Sequence, residues 1–245
     1  MIWIIGGTTE ARLAEEALLG KRNFIITVAT EAGREFLKSQ NSIVGRLSET
    51  EMEKFIRTQN VRTILDCSHP FAVEVSKNAV KVADRLGIKY LRVKRPESTA
   101  AAIAGVEYFS TLDTLLAQLK NIKGTVLITL GSKHVPDIVK VRGNNRFIFR
   151  VLPTVDSLSV LNQNGVAMQD IIACLGPFSE EQNLLTIREN CVEYLVTKES
   201  GAAGGEDAKL KAAQVAGINV LMLRRTDENG EPLDVLLKQL LEETE

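Results

Sequence analysis

The stretch IWIIGGTTEARLAEEAL, residues 2–18, contains the pattern from which the fold can be predicted. Its four leading apolar residues predict a short buried strand, and Leu13, Ala14, Ala17 and Leu18 follow at the spacing of a helix. The intervening GGTTEAR combines flexible glycines with threonines, which are favoured helix N-caps. The stretch therefore predicts a strand–loop–helix unit, the repeating piece of a parallel α/β sheet.

The same alternation of apolar runs and amphipathic segments continues along the chain. Further strands are predicted at FIITVAT (24–30), SIVGRL (42–47), TILD (63–66), IKYLRV (88–93), VLITL (126–130), FIFRVL (147–152), DIIACL (170–175), VEYLVT (192–197) and INVLML (218–223). Such alternation favours parallel sheets covered by helices on both faces. We expect two α/β domains, residues 1–122 and 123–245, with the boundary in the turn-forming KNIKGT.

Composition excludes several classes of function. The 245 residues are 44% hydrophobic and 25% charged, an ordinary globular balance. With 30 basic and 31 acidic side chains, the net charge of −1 argues against a nucleic-acid partner bound by bulk charge. Three widely spaced cysteines fit a cytoplasmic protein, and two histidines make a metal site unexpected. No apolar run approaches the roughly 18–20 residues that a membrane span needs. Nothing in the sequence indicates an oligomeric state.

Five loops that follow predicted strands have an unusual composition. In open parallel sheets, ligands bind beyond the carboxyl ends of the strands, where helix N-termini favour phosphate or carboxylate. Each loop opens a predicted helix and contains glycine or proline together with hydroxyl side chains. The loops are GGTTEAR (6–12), CSHPFA (67–72), GSKH (131–134), GPFSEEQN (176–183) and KESGAAGG (198–205).

The first and last of these loops are candidates for binding an anion. GGTTEAR occupies the position of a dinucleotide phosphate loop but lacks G-x-G-x-x-G, so a bare turn capped by Thr8 or Thr9 remains an alternative. KESGAAGG contains more glycine than a purely structural turn needs, which favours a nest of backbone donors. Its candidate residues are Lys198, Ser200, Gly201, Gly204 and Gly205.

Two further loops carry weaker signals. GPFSEEQN is typical of a helix start capped by Ser179, although Gly176, Pro177 and Phe178 could also border an anion. GSKH places Lys133 near a helix N-terminus, where the dipole disfavours a cation, and thereby hints at an anionic partner. The candidates in that loop are Gly131, Ser132 and Lys133.

The loop CSHPFA contains one of the two histidines. His69 could act as a general acid because its pKa is near neutrality, or it could be a structural hydrogen-bond donor. Ser68 or His69 is expected to cap the next helix, with Pro70 in its first turn and Phe71 in the core. Cys67 beside His69 does not establish a thiol nucleophile. Motifs of hydrolases, zincins and P-loop enzymes are absent from the sequence.

Taken in order, these motifs resemble the precorrin-6A reductase family of corrin biosynthesis along nearly the whole chain. The resemblance rests on six segments rather than on one short motif. They are residues 6–12, 66–79, 92–96 with Arg95, 131–133, 176–183 and 196–205.

The resemblance implies an α/β fold of two Rossmann-like domains with mainly parallel sheets and an interdomain cleft. It also implies a reductase that transfers a hydride from NADPH or NADH to a ring double bond of precorrin-6A, or of its cobalt form, in the pathway to cobalamin. His69 then becomes a possible proton donor, beside a lysine or solvent. The candidate cofactor-binding residues are Gly6, Gly7, Thr8, Thr9, Glu10, Ser68, His69, Pro70 and Phe71.

The implied substrate is a flat tetrapyrrole rich in carboxylates, which suits the anion-binding candidates Arg95, Lys133 and Lys198. No clear acid ends the second strand, which favours NADPH over NADH, and Arg34 is a candidate for its 2′-phosphate. Two other interpretations stay open. One is a non-catalytic NAD(P)-binding sensor, and the other is a tetrapyrrole cyclase or synthase without a redox cofactor.

Overall fold

The computed structural model describes residues 1–95, 105–201, 204–225 and 229–243. Eleven strands are described, at Ile2–Ile5 (β1), Phe24–Val28 (β2), Ser42–Val44 (β3), Thr63–Asp66 (β4), Lys89–Arg92 (β5), Val106–Phe109 (β6), Thr125–Ile128 (β7), Arg146–Val151 (β8), Ile171–Ala173 (β9), Tyr194–Lys198 (β10) and Asn219–Leu223 (β11). Ten α-helices are described, at Thr9–Leu18 (α1), Glu31–Arg34 (α2), Glu49–Thr58 (α3), Val73–Leu86 (α4), Leu112–Leu119 (α5), Val135–Lys140 (α6), Val155–Gln163 (α7), Glu180–Glu189 (α8), Glu206–Ala216 (α9) and Leu233–Glu242 (α10). None of these helices is long and apolar enough to cross a membrane.

The chain forms two compact units. The first comprises Met1–Pro96 with Asp227–Glu245, and the second comprises Glu97–Thr226. The first unit holds a five-stranded sheet of order β3-β2-β1-β4-β5, and the second a six-stranded sheet of order β6-β11-β10-β7-β8-β9. All strand pairs in both sheets are parallel, as the alternation of strands and helices predicts.

The strand β1 explains why the first sheet is covered on both faces. Ile2 and Ile4 belong to a core cluster with residues of α1 and α10, whereas Trp3 and Ile5 belong to a second cluster with residues of α3 and α4. Successive side chains of a strand point to opposite faces, so a strand with no polar residue needs apolar partners on both sides.

The division into units differs from the boundary expected at residues 122–123. The strand β6 pairs with β11 in the second sheet, so the segment from Val106 onward belongs to the second unit. The helix α10 returns to the first unit, where Leu236 and Leu240 join the cluster formed with α1. The strand β6 was not predicted, because its sequence VEYF is short and Glu107 interrupts its apolar residues.

Several helices begin and end where their caps predict. Thr8 caps α1 by accepting a hydrogen bond from the N–H of Ala11. Ser48 and Glu51 form a capping box at α3. Gly87 ends α4 in the left-handed conformation, with φ of 63°, as predicted.

Candidate functional site

Each sheet has one point at which the order of its strands reverses. In the first unit the chain runs from β1 outward to β2 and β3, and then returns to place β4 on the other side of β1. In the second unit the chain runs from β7 outward to β8 and β9, and then returns to place β10 on the other side of β7. Connections that leave such neighbours diverge and form a crevice at the carboxyl ends of the strands, where ligands of open α/β sheets bind. Four of the five predicted loops follow β1, β4, β7 and β10.

The loop after β1 approaches the neighbouring backbone closely. The N–H of Gly6 donates to the carbonyl of Thr27 over 2.7 Å, and a Cβ on Gly6 would lie 3.0 Å from that oxygen. Gly7 has a φ of 99°, in the region that favours glycine, and a Cβ there would meet nothing within 4 Å. The two glycines therefore leave the backbone at the start of α1 uncovered by side chains of their own.

Thr8 ties the two loops of the first crevice together. Its Oγ1 donates to the carbonyl oxygen of Cys67 over 2.7 Å and accepts from the N–H of Ala11 at 3.3 Å. The sequence allowed either Thr8 or Thr9 as the N-cap of α1, and in the structure the N-cap is Thr8. Thr9 is the first residue of α1, and its hydroxyl accepts from Arg12 at 3.3 Å.

Glu10 and Arg95 form a buried ion pair. The Arg95 Nη2 lies 2.8 Å from Glu10 Oε2, and the exposed fractions of the two side chains are 7% and 12%. The sequence placed these residues in separate groups, one contacting the cofactor and one an anion. In the structure the charge of each is balanced by the other. Pro96, the last residue of that motif, lies outside the described residues.

Asp66, at the end of β4, is the centre of a buried network. Its Oδ1 lies 2.8 Å from Arg92 Nη1 and accepts the N–H of Ser68 at 2.9 Å. Its Oδ2 accepts from Ser76 at 2.6 Å and from Tyr90 at 2.7 Å. Burial, followed by the charge of Asp66, raises the pKa of Tyr90. Four groups therefore hold the Asp66 carboxylate in place directly before the loop CSHPFA.

Ser68 is drawn into the same network. Its Oγ accepts from Arg92 Nη1 at 2.8 Å and lies 3.2 Å from the Oγ of Ser76. Ser68 is buried, with 6% of its surface exposed. The loop is thus at the predicted crevice, but the hydroxyl predicted to face a ligand has partners within the unit.

His69 is partly buried. Its Nδ1 accepts the N–H of Phe71 at 3.2 Å, and the two rings are 5.8 Å apart. A neutral imidazole that accepts through Nδ1 carries its proton on Nε2, which is then the donor. The expected cap is wrong in detail, because α4 begins at Val73 and its N-cap, Ala72, makes no side-chain hydrogen bond. Pro70 is buried and precedes the helix instead of lying in its first turn.

Cys67 is not activated as a nucleophile. Its side chain is buried, and burial together with the charge of Asp66 raises the pKa of the thiol well above its usual value. A reactive cysteine needs a depressed pKa and access to solvent. The structure therefore agrees with the interpretation that Cys67 beside His69 is not a catalytic pair.

Two predicted lysines, one in the loop after β7 and one at the end of β10, lie near His134. Gly131 adopts a φ of 80°, and Ser132 Oγ lies 3.3 Å from Ser157 Oγ. Burial lowers the pKa of His134, and the charges of Lys133 and Lys198 lower it further. Lysines from the loops after β7 and β10 therefore act on the same group, as expected for neighbouring loops.

The segment GPFSEEQN contains the start of the helix α8, in agreement with the prediction of a helix start capped by Ser179. Ser179 accepts the N–H of Gln182 at 3.2 Å, and Gln182 accepts the N–H of Ser179 at 2.9 Å, which is a capping box. The ring of Phe178 lies 4.3 Å from the guanidinium carbon of Arg150.

The glycine-rich loop after β10 wraps an internal carboxylate. Glu206 accepts the N–H of Ser200 at 2.7 Å and that of Gly201 at 2.8 Å. A Cβ on Gly204 would lie 2.2 Å from Ser200 Oγ, and Gly205 is the left-handed N-cap of α9, with φ of 66°. Two backbone donors of the predicted anion-binding loop therefore bind a carboxylate of the chain itself, and its binding of a ligand stays a prediction.

Two buried cations near this loop were missed by the sequence analysis. Arg150 lies in β8 and is 7% exposed, and Lys209 lies in α9 and is 8% exposed. Burial lowers the pKa of Lys209 to about 8, and the charges of Arg150 and Lys198 act in the same direction. The available signal was an arginine inside the apolar run FIFRV and a lysine beside Leu210 on the apolar face of α9.

Comparison with known proteins identifies the family. The family model described as "Precorrin-6x reductase CbiJ/CobK" matches residues 1–241. The chain belongs to this family. It is therefore an oxidoreductase of the precorrin-6A reductase type, in cobalamin biosynthesis, as the resemblance of its six motifs implied.

Individual relatives support the assignment. The chain is similar to "Cobalt-precorrin-6A reductase" of Priestia megaterium, with 33% identity across 92% of this chain and 90% of the relative. It is also similar to "Precorrin-6A reductase" of Rhodococcus erythropolis, with 31% identity across 91% and 88%. The solved structure "CobK precorrin-6A reductase" has a TM-score of 0.82 and 21% identity, covering 98% of this chain and 95% of its own. That structure confirms the α/β fold with two Rossmann-like sheets.

Proposed function

We propose that this protein uses NADPH to reduce one ring double bond of precorrin-6A or of cobalt-precorrin-6A. The match of the family model to residues 1–241 is the observation that carries the proposal. The parallel sheet order β3-β2-β1-β4-β5, with a glycine loop leading from β1 into α1, supports a dinucleotide in the first unit.

The residues at this loop fit a dinucleotide. Gly6 and Gly7 would let its phosphates approach the backbone, because no side chain stands at Gly7. The ten-residue helix α1 begins directly after this loop, and helix N-termini favour phosphates through their backbone N–H groups and the positive end of the helix dipole. When bound, the nicotinamide supplies the hydride, which no protein side chain can do.

The residues of the chain then have to bind and orient the two ligands and supply a proton to the macrocycle. Addition of a hydride to one carbon of a ring double bond requires a proton on its neighbour. His69 is the proposed donor of that proton from Nε2. It would act as the imidazolium, in which Nδ1 is also protonated and no longer accepts the N–H of Phe71, and the transfer would leave the neutral imidazole.

The preference for NADPH is also part of the proposal. The strand β2 ends at Val28, and Thr30 rather than an acid caps the following helix. An acid at this position would bind the ribose hydroxyl groups of NADH. Arg34, the candidate for the 2′-phosphate, is exposed and lies 2.6 Å from Glu31, an exposed pair that a phosphate could replace at little cost.

The test is anaerobic turnover with each nucleotide and each macrocycle. We expect oxidation of NADPH in step with a gain of two hydrogen atoms in the macrocycle, measured by absorbance and mass spectrometry. Binding of neither nucleotide would eliminate a reductase. Binding without oxidation in the presence of both macrocycles would favour the sensor. Turnover with the metal-free or the cobalt form decides the substrate.

A further inference from the structure

The carboxylate of Asp66 is fully occupied by groups of the first unit. Its side chain is 0% exposed. Its Oδ1 pairs with Arg92 and accepts the N–H of Ser68, and its Oδ2 accepts the hydroxyl groups of Ser76 and Tyr90. An ionised carboxylate has about four acceptor positions, and these four groups take them up. Asp66 therefore holds parts of the chain together and keeps no acceptor position for a ligand.

The hydroxyl groups of Ser76 and Tyr90 are donors of fixed direction. A hydroxyl carries one proton, and Ser76 gives its own to Asp66 Oδ2 at 2.6 Å. In the 3.2 Å contact between Ser76 and Ser68, the donor is therefore Ser68. Tyr90 donates to the same Oδ2 at 2.7 Å, and burial and the charge of Asp66 raise its pKa, so the phenol keeps its proton at neutral pH. Both hydroxyl groups thus hold the carboxylate in one orientation.

The backbone on both sides of His69 is bonded within the first unit. Before it, the N–H of Ser68 donates to Asp66 Oδ1 at 2.9 Å. After it, the N–H of Ala72 donates to the carbonyl of His69 at 2.7 Å. The bond from the N–H of Phe71 to the ring is lost when Nδ1 is protonated. The position of the imidazolium therefore depends more on the backbone that carries it than the position of the neutral ring does.

The two hydroxyl groups come from regular elements beside the loop CSHPFA. Ser76 is the fourth residue of α4, the helix that follows the loop, and Tyr90 lies in β5, where it is paired with Ile64 of β4. Helices and strands hold side chains more precisely than loops do. Such precision matters for a proton donor, because a displacement of about 1 Å can lower a rate about 100-fold.

We propose that Ser76 and Tyr90 are positioning residues that hold the loop CSHPFA, and with it His69, for proton transfer to the macrocycle. They act through the Asp66 carboxylate and the backbone N–H of Ser68. The inference rests on the proposed function, in which His69 is the proton donor.

The test uses substitutions that remove one hydroxyl group each and little else. Tyr90→Phe and Ser76→Ala take away the two donors to Oδ2, whereas Ser76→Thr keeps a hydroxyl group at the same position. Tyr194→Phe is the matched control, because Tyr194 is also partly buried but begins β10 in the second unit, at the end of the strand away from the predicted ligand edge. Each substitution is made in the unmodified protein and in His69→Ala, and kcat and KM are measured for NADPH and for the macrocycle.

We expect Tyr90→Phe and Ser76→Ala each to lower kcat at least about fivefold, with both KM values within about twofold. Ser76→Thr and Tyr194→Phe should keep kcat within about twofold of the unmodified protein. In His69→Ala the same two losses should disappear, because residues that act through one group are not additive. A kcat within twofold in both hydroxyl variants, or a loss that persists undiminished in His69→Ala, would overturn the proposal. Ser76→Ala decides the matter should Tyr90→Phe fail to fold.

Nuclear magnetic resonance of the histidine rings gives a second readout that needs no turnover. The chain has two histidines, His69 and His134, so His69→Ala assigns both sets of ring signals. We expect Tyr90→Phe and Ser76→Ala to shift the signals of His69 and to leave those of His134 in place. Should the unmodified protein consume no NADPH with either macrocycle, the proposed function fails. A shifted His69 signal would then still support the positioning of this residue, and an unshifted one would refute it.

Discussion

The replacement of Lys209 by methionine should stabilise the second unit. Burial lowers the pKa of this lysine from 10.5 to about 8, and its side chain is 8% exposed. A fall of that size corresponds to roughly 3 kcal/mol by which folding disfavours the charged amine, since one pKa unit is about 1.4 kcal/mol. Methionine removes the charge and keeps most of the packing, so we expect a gain of about 1–3 kcal/mol at pH 7.

The sign of the pH dependence provides an independent check. The folded-state pKa is depressed, so between about pH 8 and 10.5 the unfolded chain binds the proton that the folded protein has lost. The contribution of this site to stability therefore rises with pH across that window in the unmodified protein. It is absent from Lys209→Met, so the difference between the two proteins should shrink as the pH rises.

Hydrogen exchange resolved by peptide is the appropriate assay. The single tryptophan, Trp3, lies in the first unit and does not report on the second. Exchange of peptides covering β7 and β10 gives the opening free energy of the second sheet at pH 7, with exposed Lys211→Met as control. A variant that is less stable than the unmodified protein at pH 7, or a gain equally large in Lys211→Met, would refute the electrostatic reasoning.

Three further predictions concern the remaining loops. Asp66→Asn leaves the buried Arg92 without its carboxylate and should cost about 3–5 kcal/mol in urea unfolding, whereas Asp137→Asn, in an exposed pair, should cost less than about 1 kcal/mol; equal effects would remove the argument. Ser179→Ala removes a capping box and should cost about 1 kcal/mol, measured in the same way, with no loss contradicting the cap. His69→Ala should lower kcat about 10²–10⁴-fold in the NADPH assay, and an unchanged kcat would exclude it as proton donor.

The sequence predicted most elements of the fold because their signals are local. Apolar runs, N-caps and glycine stops lie within a few residues of the elements that they define, as at Thr8, Ser179 and Gly87. The missed strand β6 carries Glu107 and aromatic residues in place of an aliphatic run. The units could not be delimited correctly because pairing of β6 with β11 joins residues more than a hundred positions apart.

The sequence predicted which loops lie at the candidate site, but not which partners their side chains take. The carboxyl ends of parallel strands share one edge of a sheet, so residues that follow strands can be expected there from sequence. Which partner each side chain takes depends on tertiary contacts. Arg95 pairs with Glu10 across 85 positions, and the amides of Ser200 and Gly201 bind Glu206. These partners cannot be predicted from the periodicity of the sequence.

The path of the chain has a consequence for its synthesis. The first unit is begun by the opening residues and is completed only by α10, whose Leu236 and Leu240 lie against α1. Because α10 follows the whole second unit in the sequence, its contacts with the cluster of α1 can form only after the second unit has been synthesised. Until that point, the core cluster around α1 and β1 lacks two of its buried leucines.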